Sequence, residues 1–233
     1  MKNRQIVLDT ETTGLEPSQG HRIIEIGCVE IINRRLTQNH WHHYINPDRE
    51  IDAGAFDVHG ISSEFLQDKP RFAELADDFL EYIRGAELII HNAPFDVGFL
   101  NNELAKLEGN KPKIADVSRV LDTLVMARQM HPGQKNNLDA LCKRYEIDNS
   151  ARTLHGALLD SEILAEVYLL MTGGQTALSL DSGDADQSGA QGDIEMAPIE
   201  HENLVLWQLS EDDEEKHQQY LEYLQQKAQN CAW

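Results

Sequence analysis

The sequence predicts an α/β domain, built as a mixed central β-sheet flanked by helices, with a flexible tail behind it. Three observations carry this. β-rich apolar runs crowd the first 46 residues, so the sheet begins as an antiparallel meander. Short strand-like runs then alternate with helical stripes up to residue 171, the order that lays helices over a sheet. After residue 174 core-forming residues become scarce.

The first strand is the apolar run Ile6-Val7-Leu8, continued by Asp9-Thr10-Glu11 into a turn at Thr12-Thr13-Gly14. Residues 22–32 read as the second strand, rich in β-branched residues. Asn33-Arg34-Arg35 reads as the turn into a third strand over 40–46, which Pro47 ends. A loop follows through Val58-His59-Gly60-Ile61. Phe72, Leu75, Ala76, Phe79, Leu80 and Ile83 recur at helical spacing, and Gly85 stops that helix. Leu88-Ile89-Ile90 is a short buried strand that delivers the chain to His91-Asn92-Ala93-Pro94-Phe95-Asp96. The next helix carries Val97, Phe99, Leu100, Leu104 and Leu107. Residues 108–119 are polar and loop-like, and Val120-Leu121 is a candidate fifth strand. Helices are expected over 122–130 and 137–145, separated by His131-Pro132-Gly133, with Asn136 or Asn137 capping the second. Residues 156–171 form a strongly apolar helix that Gly173-Gly174 stop.

Three regions follow: a folded domain over 1–174, a linker over 175–202 and a terminal segment over 203–233. Residues 181–200 are mostly Asp, Ser, Gly, Ala, Gln and Glu, a composition that stays flexible. Residues 203–209 regain hydrophobicity, and 211–228 read as an acidic helix. That last piece is too small to bury a core of its own, so it is expected to dock on something.

Charge narrows the function. The 233 residues carry a net charge of −20. Residues 175–233 hold 13 acids against 2 bases, and residues 1–174 hold 27 against 18. Such a chain does not grip nucleic acid by bulk electrostatics. A local site with bound cations, or a partner, would have to bring DNA in. Cys28, Cys142 and Cys231 are few, odd in number and far apart, as expected of thiols in a reducing compartment. Neither a secretory leader nor a membrane span is expected from the hydropathy pattern. A cytoplasmic protein with no membrane partner is the expectation.

The chemistry begins at Asp9-x-Glu11. Strand side chains alternate with period two, so both carboxylates point the same way. Held side by side they repel unless a cation lies between them, and all-oxygen donors suit Mg²⁺ or Mn²⁺. On its own the pair is a weak signal, better read as an ordinary solvent-facing strand end running into a polar turn. Asp96 stands just past a strand at a helix start, with Asn92 four residues earlier. Asp160 lies early in the 156–171 helix among Leu158, Leu159 and Ile163, with His155 ahead of it. A carboxylate near the buried side wants a cation or strong donors, though a hydrogen-bonded Asp near a helix start would look the same. His155 and Asp160 are about 140° apart on an ideal helix, so His155 reads as an entry-loop residue over the site, or as a cap.

Taken together, Asp9-x-Glu11, Asn92-x-x-x-Asp96 and His155-x-x-x-x-Asp160 resemble the three motifs of the DEDDh superfamily of 3′→5′ exonucleases, over roughly residues 4–174. The wording of Leu8-Asp9-Thr10-Glu11-Thr12-Thr13-Gly14, Val58-His59-Gly60-Ile61, His91-Asn92-Ala93-Pro94-Phe95-Asp96 and Thr153-Leu154-His155-Gly156-Ala157-Leu158-Leu159-Asp160 is similar to its proofreading branch, which serves bacterial DNA polymerase III. The resemblance implies an RNase H-like fold. It implies a two-metal phosphodiester hydrolase that removes mispaired deoxynucleotides from DNA 3′ ends as 5′-mononucleotides. In that scheme Asp9, Glu11, Asp96 and Asp160 hold two divalent cations, Mg²⁺ or Mn²⁺, and His155 is the general base. Histidine suits that role because its side chain titrates near neutral pH. Substrate contacts fall to Asp9, Glu11, Thr12, His59, Asn92 and Asp160. Members of this branch often carry an acid five positions before His59, where this chain has Gly54, so contacts to the terminal nucleotide are expected to differ.

Gln175-Thr176-Ala177-Leu178-Ser179-Leu180 resembles the short motif that binds the bacterial sliding clamp, with Gln175, Leu178 and Leu180 as its contacts. A weak motif on a flexible linker works through effective concentration. Residues 203–233 would then dock on the polymerase III alpha subunit, and the resemblance leaves room for a small theta-like stabilising subunit. A replisome-associated location follows. Two other readings stay open: a free-standing DEDDh ribonuclease, and an assembly subunit without catalysis. Preference for DNA over RNA separates the first, and the effect of Asp9→Ala separates the second.

Overall fold

A computed structural model describes residues 4–150 and 154–173, together with His217 and Tyr220. The chain divides into two units, Met1–Ser179 and Leu180–Trp233. Every element below belongs to the first. In the second, His217 and Tyr220 are helical and exposed. The clamp-like hexapeptide, the linker and the rest of the terminal segment lie outside the described residues.

Five strands form one mixed sheet: β1 (Arg4–Thr12), β2 (Ile23–Ile32), β3 (Arg35–Tyr44), β4 (Glu87–Ile90) and β5 (Arg119–Asp122). Their order across the sheet is β3-β2-β1-β4-β5. β1, β2 and β3 pair antiparallel, while β4 runs parallel to β1 and β5 parallel to β4. Asn33 and Arg34, both at positive φ, make the two-residue turn between β2 and β3. That geometry matches the right-handed twist of the two strands.

Helices cover both faces. On one lie α3 (Phe72–Ile83) and α4 (Ala93–Ala105), packed on Ile6, Leu8, Ile26, Cys28 and Leu88. On the other lies α8 (Ala157–Thr172), whose Leu164, Ala165 and Tyr168 meet Val7, Val29, Ile31 and Ile89. α6 (Thr123–Met130) and α7 (Leu138–Tyr145) close over α8 through Ala127, Leu141, Cys142, Ile163 and Val167. α8 is therefore buried against the sheet on one side and helices on the other, which explains why its sequence is apolar nearly all round. Cys28 and Cys142 are both buried.

The structure departs from the sequence reading in four places. β3 starts at Arg35, not near residue 40, because its first half is an edge strand with exposed polar side chains and no alternation to read. The loop expected around His59 contains two short helices, α1 (Ala53–His59) and α2 (Ser63–Leu66). Residues 108–119 include α5 (Ile114–Val117). These are too short to show a periodic stripe. Leu107 lies beyond the end of α4.

Gly27 decides how closely α8 can approach. It pairs with Asp9 across β1 and β2. A Cβ there would come within 2.3 Å of the Ala157 carbonyl carbon and the Leu158 nitrogen. The first turn of α8 thus lies directly on the sheet, and the buried Ser161 hydroxyl donates to the Gly27 carbonyl at 2.8 Å. Gly27→Ala is expected to cost about 1–3 kcal/mol through overpacking, read as a lower urea midpoint. An unchanged midpoint would mean that α8 does not depend on this close seat.

Candidate functional site: a carboxylate cleft

The fold brings three distant segments to one cleft. β1 alternates, so Val7, Asp9 and Glu11 share the face that α8 covers. Immediately after Glu11 the β1–β2 register shifts, and this bulge ends regular pairing at the site. β4 ends at Ile90, and Asn92 takes a left-handed conformation (φ 67°) that starts α4 and places Asp96 in its first turn. Asp160 follows from the other side of the sheet in the first turn of α8.

All five predicted catalytic residues, Asp9, Glu11, Asp96, His155 and Asp160, line one cleft of about 270 Å³, together with Asn92. Asp96 and Asp160 are 3% exposed, which is unusual for carboxylates and shows that they are held. Thr10 donates its hydroxyl to Asp96 at 2.7 Å. Burial nevertheless pushes the Asp96 carboxyl up to about 7, against the pull of Thr10.

His155 stands on the loop before α8, its side chain 44% exposed. Its backbone N–H donates to the Val58 carbonyl at 3.1 Å, and its Nδ1 lies 3.1 Å from an Asp160 carboxylate oxygen. An ionised carboxylate only accepts, so Nδ1 donates and a neutral ring keeps its lone pair on Nε2. His155 precedes the helix, and helical phase does not limit its pairing with Asp160.

Glu11, His155 and Asp160 offer ligand atoms within 4.8 Å of one another, close enough to share one ion. Asp9 and Asp96 line the same cleft outside that set. Carboxylate donors with one imidazole fit a hard divalent cation, whose charge would favour the ionised form of the buried Asp96.

A pH effect follows from Asp96. Its carboxyl is raised from 3.8 to about 7, so the folded, metal-free protein holds this proton more tightly than the unfolded chain. Metal-free stability should therefore fall as pH rises from about 4 to about 7 and level off above it. A cation requires the ionised form, so its stabilisation grows over the same window. The melting-temperature rise produced by Mg²⁺ or Mn²⁺ over a chelated sample is expected to be larger at pH 8 than at pH 6. Equal rises would remove Asp96 from the metal-linked groups.

A second pocket of about 400 Å³ adjoins the cleft, sharing Thr10, Glu11 and Phe95 with it. Thr12 and His59 line this more apolar space. The Thr12 hydroxyl donates to the Gly14 carbonyl at 2.7 Å. His59 Nδ1 accepts from the Ile61 N–H at 3.0 Å, which leaves the proton on Nε2. That buried Nε2 makes no close side-chain contact, and the Thr12 backbone is the polar group that holds on to its proton. Burial pushes the His59 imidazole down, so it is neutral near pH 7. Gly54 lies on the same wall, with open space where its Cβ would be.

Several residues escaped the sequence reading. Thr10 holds Asp96, and Ser161 with Gly27 seats α8. Asn137, Leu138 and Asp139 at the start of α7 line the cleft. A glycine inside the β-branched run 23–32 was the one visible signal, since it marks a close backbone approach.

The profile of the RNase T family, described as Exonuclease, matches residues 6–168. DNA polymerase III subunit epsilon of Escherichia coli is 52% identical over 235 aligned positions, covering 99% of this chain and 97% of that protein. The subunit of the same name from Haemophilus influenzae is 56% identical over 243 positions, covering 99% and 94%. Among solved structures, Exonuclease X in complex with 5′-overhanging duplex DNA superposes with a TM-score of 0.57 at 28% identity, over 72% of this chain and 91% of that one. Exonuclease I of Escherichia coli bound to an oligonucleotide shares the fold, with a TM-score of 0.64 at 19% identity over 74% of this chain and 41% of that one.

Proposed function

Because the chain belongs to the exonuclease family and, within it, to the DNA polymerase III epsilon subunits, we propose that it is a proofreading 3′→5′ exonuclease subunit working inside a bacterial replicative polymerase. The observation that carries this reading is the convergence of Asp9, Glu11, Asp96, His155 and Asp160 on one cleft from three separate segments. Its substrate is the terminal phosphodiester of a mispaired DNA 3′ end, and its product is a 5′-mononucleotide.

The cleft's own residues account for most of the mechanism. Asp9, Glu11, Asp96 and Asp160 would hold two divalent cations, Mg²⁺ or Mn²⁺. Such a pair would supply charge stabilisation for the attacking and leaving oxygens of an in-line displacement. His155 takes the proton of the attacking water at Nε2, with Nδ1 held by Asp160. Thr12 and the neutral His59 receive the terminal nucleoside in the adjoining pocket that they line. Asn92 at the cleft edge steadies the strand. Gly54 leaves that pocket's wall open, so binding there rests on the remaining groups.

Among the described residues no helix is long and apolar enough to cross a membrane. The terminal segment 203–233 is proposed to dock on the polymerase alpha subunit. Gln175, Leu178 and Leu180 are proposed to hold the sliding clamp, and a small theta-like subunit is a further candidate partner. Docking also resolves the charge problem, because the polymerase hands a frayed primer end to a net-acidic nuclease. Truncation after Gly174 tests this directly. Metal-dependent excision of a mispaired 3′ end should persist, while co-elution with the polymerase subunit on a sizing column is lost. Retained co-elution would sink the docking assignment, and loss of excision would show that the domain over 1–174 is incomplete.

A further inference from the structure

A third space opens off the carboxylate cleft, on the side away from the apolar pocket. It holds about 490 Å³ and is lined chiefly by His91, Asn92, Arg128, Gln134, Asn136 and Asn137. It shares His91, Asn92 and Asn137 with the cleft and no residue with the apolar pocket. The three spaces therefore run in sequence, with the carboxylates in the middle.

This groove is built on both sides. α6 supplies one wall and Arg128. The loop from His131 to Asn137 supplies the other, shaped around the buried Asn136. Its side-chain amide donates to the carbonyls of His131 at 3.2 Å and Gln134 at 3.0 Å, and its Oδ1 accepts from Arg144 at 3.1 Å. Gly133, at φ 76°, allows the loop to turn back. The floor is His91, fixed by a 3.0 Å contact between its Nδ1 and the Thr123 hydroxyl.

Arg128 is the informative residue. It is exposed, and among the described residues it has no hydrogen-bond or ion-pair partner. Other arginines are committed: Arg4 to Glu30, Arg22 to Glu103 and Arg71 to Asp48. The groove that Arg128 lines holds no carboxylate, so on a chain with net charge −20 this guanidinium is not spent on the protein's own acids there. A guanidinium with neighbouring amides matches a phosphodiester backbone, which such groups bind without reading sequence.

We propose that this groove carries the DNA strand on the 5′ side of the scissile bond, with Arg128 on a backbone phosphate and the amides of Gln134 and Asn92 along the sugar–phosphate chain. The inference rests on the nuclease reading above. The apolar pocket takes the terminal nucleoside, the carboxylates take the scissile phosphate, and the strand leaves through the only neighbouring groove of opposite character among these three spaces. It gives the site a polarity and one positive anchor that is independent of base identity.

Two substrates separate this groove from the rest of the site. A ten-nucleotide oligothymidylate spans all three spaces, whereas the p-nitrophenyl ester of thymidine 5′-monophosphate has no upstream nucleotide. With the full-length chain and Mn²⁺, Arg128→Ala is expected to raise KM for the oligomer about tenfold and to flatten its log KM against log salt slope by about 0.7, the loss of one single-strand phosphate contact. The rise should be confined to the oligomer, and Arg128→Lys should recover much of it because a point charge still meets phosphate. An unchanged oligomer KM and salt slope, or an equal loss on both substrates, would overturn the assignment. A wild-type protein that hydrolyses neither substrate with Mg²⁺ or Mn²⁺ would overturn the nuclease reading instead.

Discussion

Asp9→Ala is expected to abolish metal-dependent hydrolysis, with a loss of about 10³-fold or more, because a cation clamp supplies several kcal/mol of transition-state stabilisation. Asp9 lies on β1 directly opposite Gly27, under the first turn of α8 and in the middle of the acidic cleft. Its removal takes one charge from a crowded set and opens no apolar cavity. The metal-free variant should therefore melt no earlier than wild type, while the Mg²⁺-induced rise in melting temperature shrinks. Glu11→Ala should behave alike, since Glu11 shares a possible ion with His155 and Asp160. Near-wild-type rates with Mg²⁺ in either variant would contradict the metal scheme. A loss of activity that tracks loss of fold would leave Asp9 a structural residue.

His155→Ala should lower kcat by about 10²–10⁴-fold, the usual contribution of a positioned general base. The side chain is half-exposed, reaches Asp160 through Nδ1, and sits on a loop tied by its backbone to Val58. Nothing in the core depends on it. KM for single-stranded DNA and the Mn²⁺ titration should stay close to wild type. This split matters because His155 lies among atoms that could also ligate an ion. If metal affinity falls together with kcat, His155 is a ligand and not the base. A nearly unchanged kcat would remove it from both roles.

The candidate constellation was legible because each of its members sits where an apolar element begins or ends. Such an end is visible in one sequence: a β-rich run before Asp9, a short strand before Asp96 and a striped helix around Asp160. The helix over 72–83 and the strands around Leu8 and Ile26 were readable for the same reason, since buried faces impose a period. What could not be read were features without a period. The exposed half of β3 and the short helices α1, α2 and α5 bury too few side chains to leave a pattern. Apart from the glycine inside the second strand, residues that act across the fold left no linear trace. Thr10 reaches Asp96, 86 positions away, and Ser161 reaches Gly27, 134 positions away. Arg128 became informative only when the structure showed that it has no partner among the described residues and lines a groove. His155 was readable as an entry-loop residue over the site, but its direct pairing with Asp160 is set by the loop geometry before α8, which no linear pattern reveals.

The most direct test of the central claim is mononucleotide release from a 3′-labelled single-stranded DNA by the full-length chain with Mg²⁺ or Mn²⁺, wild type beside Asp9→Ala, with a matched RNA in parallel. Metal-dependent release from DNA that is lost in Asp9→Ala and weak on RNA is the expected result. Release that favours RNA, or that survives in Asp9→Ala, would contradict the assignment of a proofreading deoxyribonuclease.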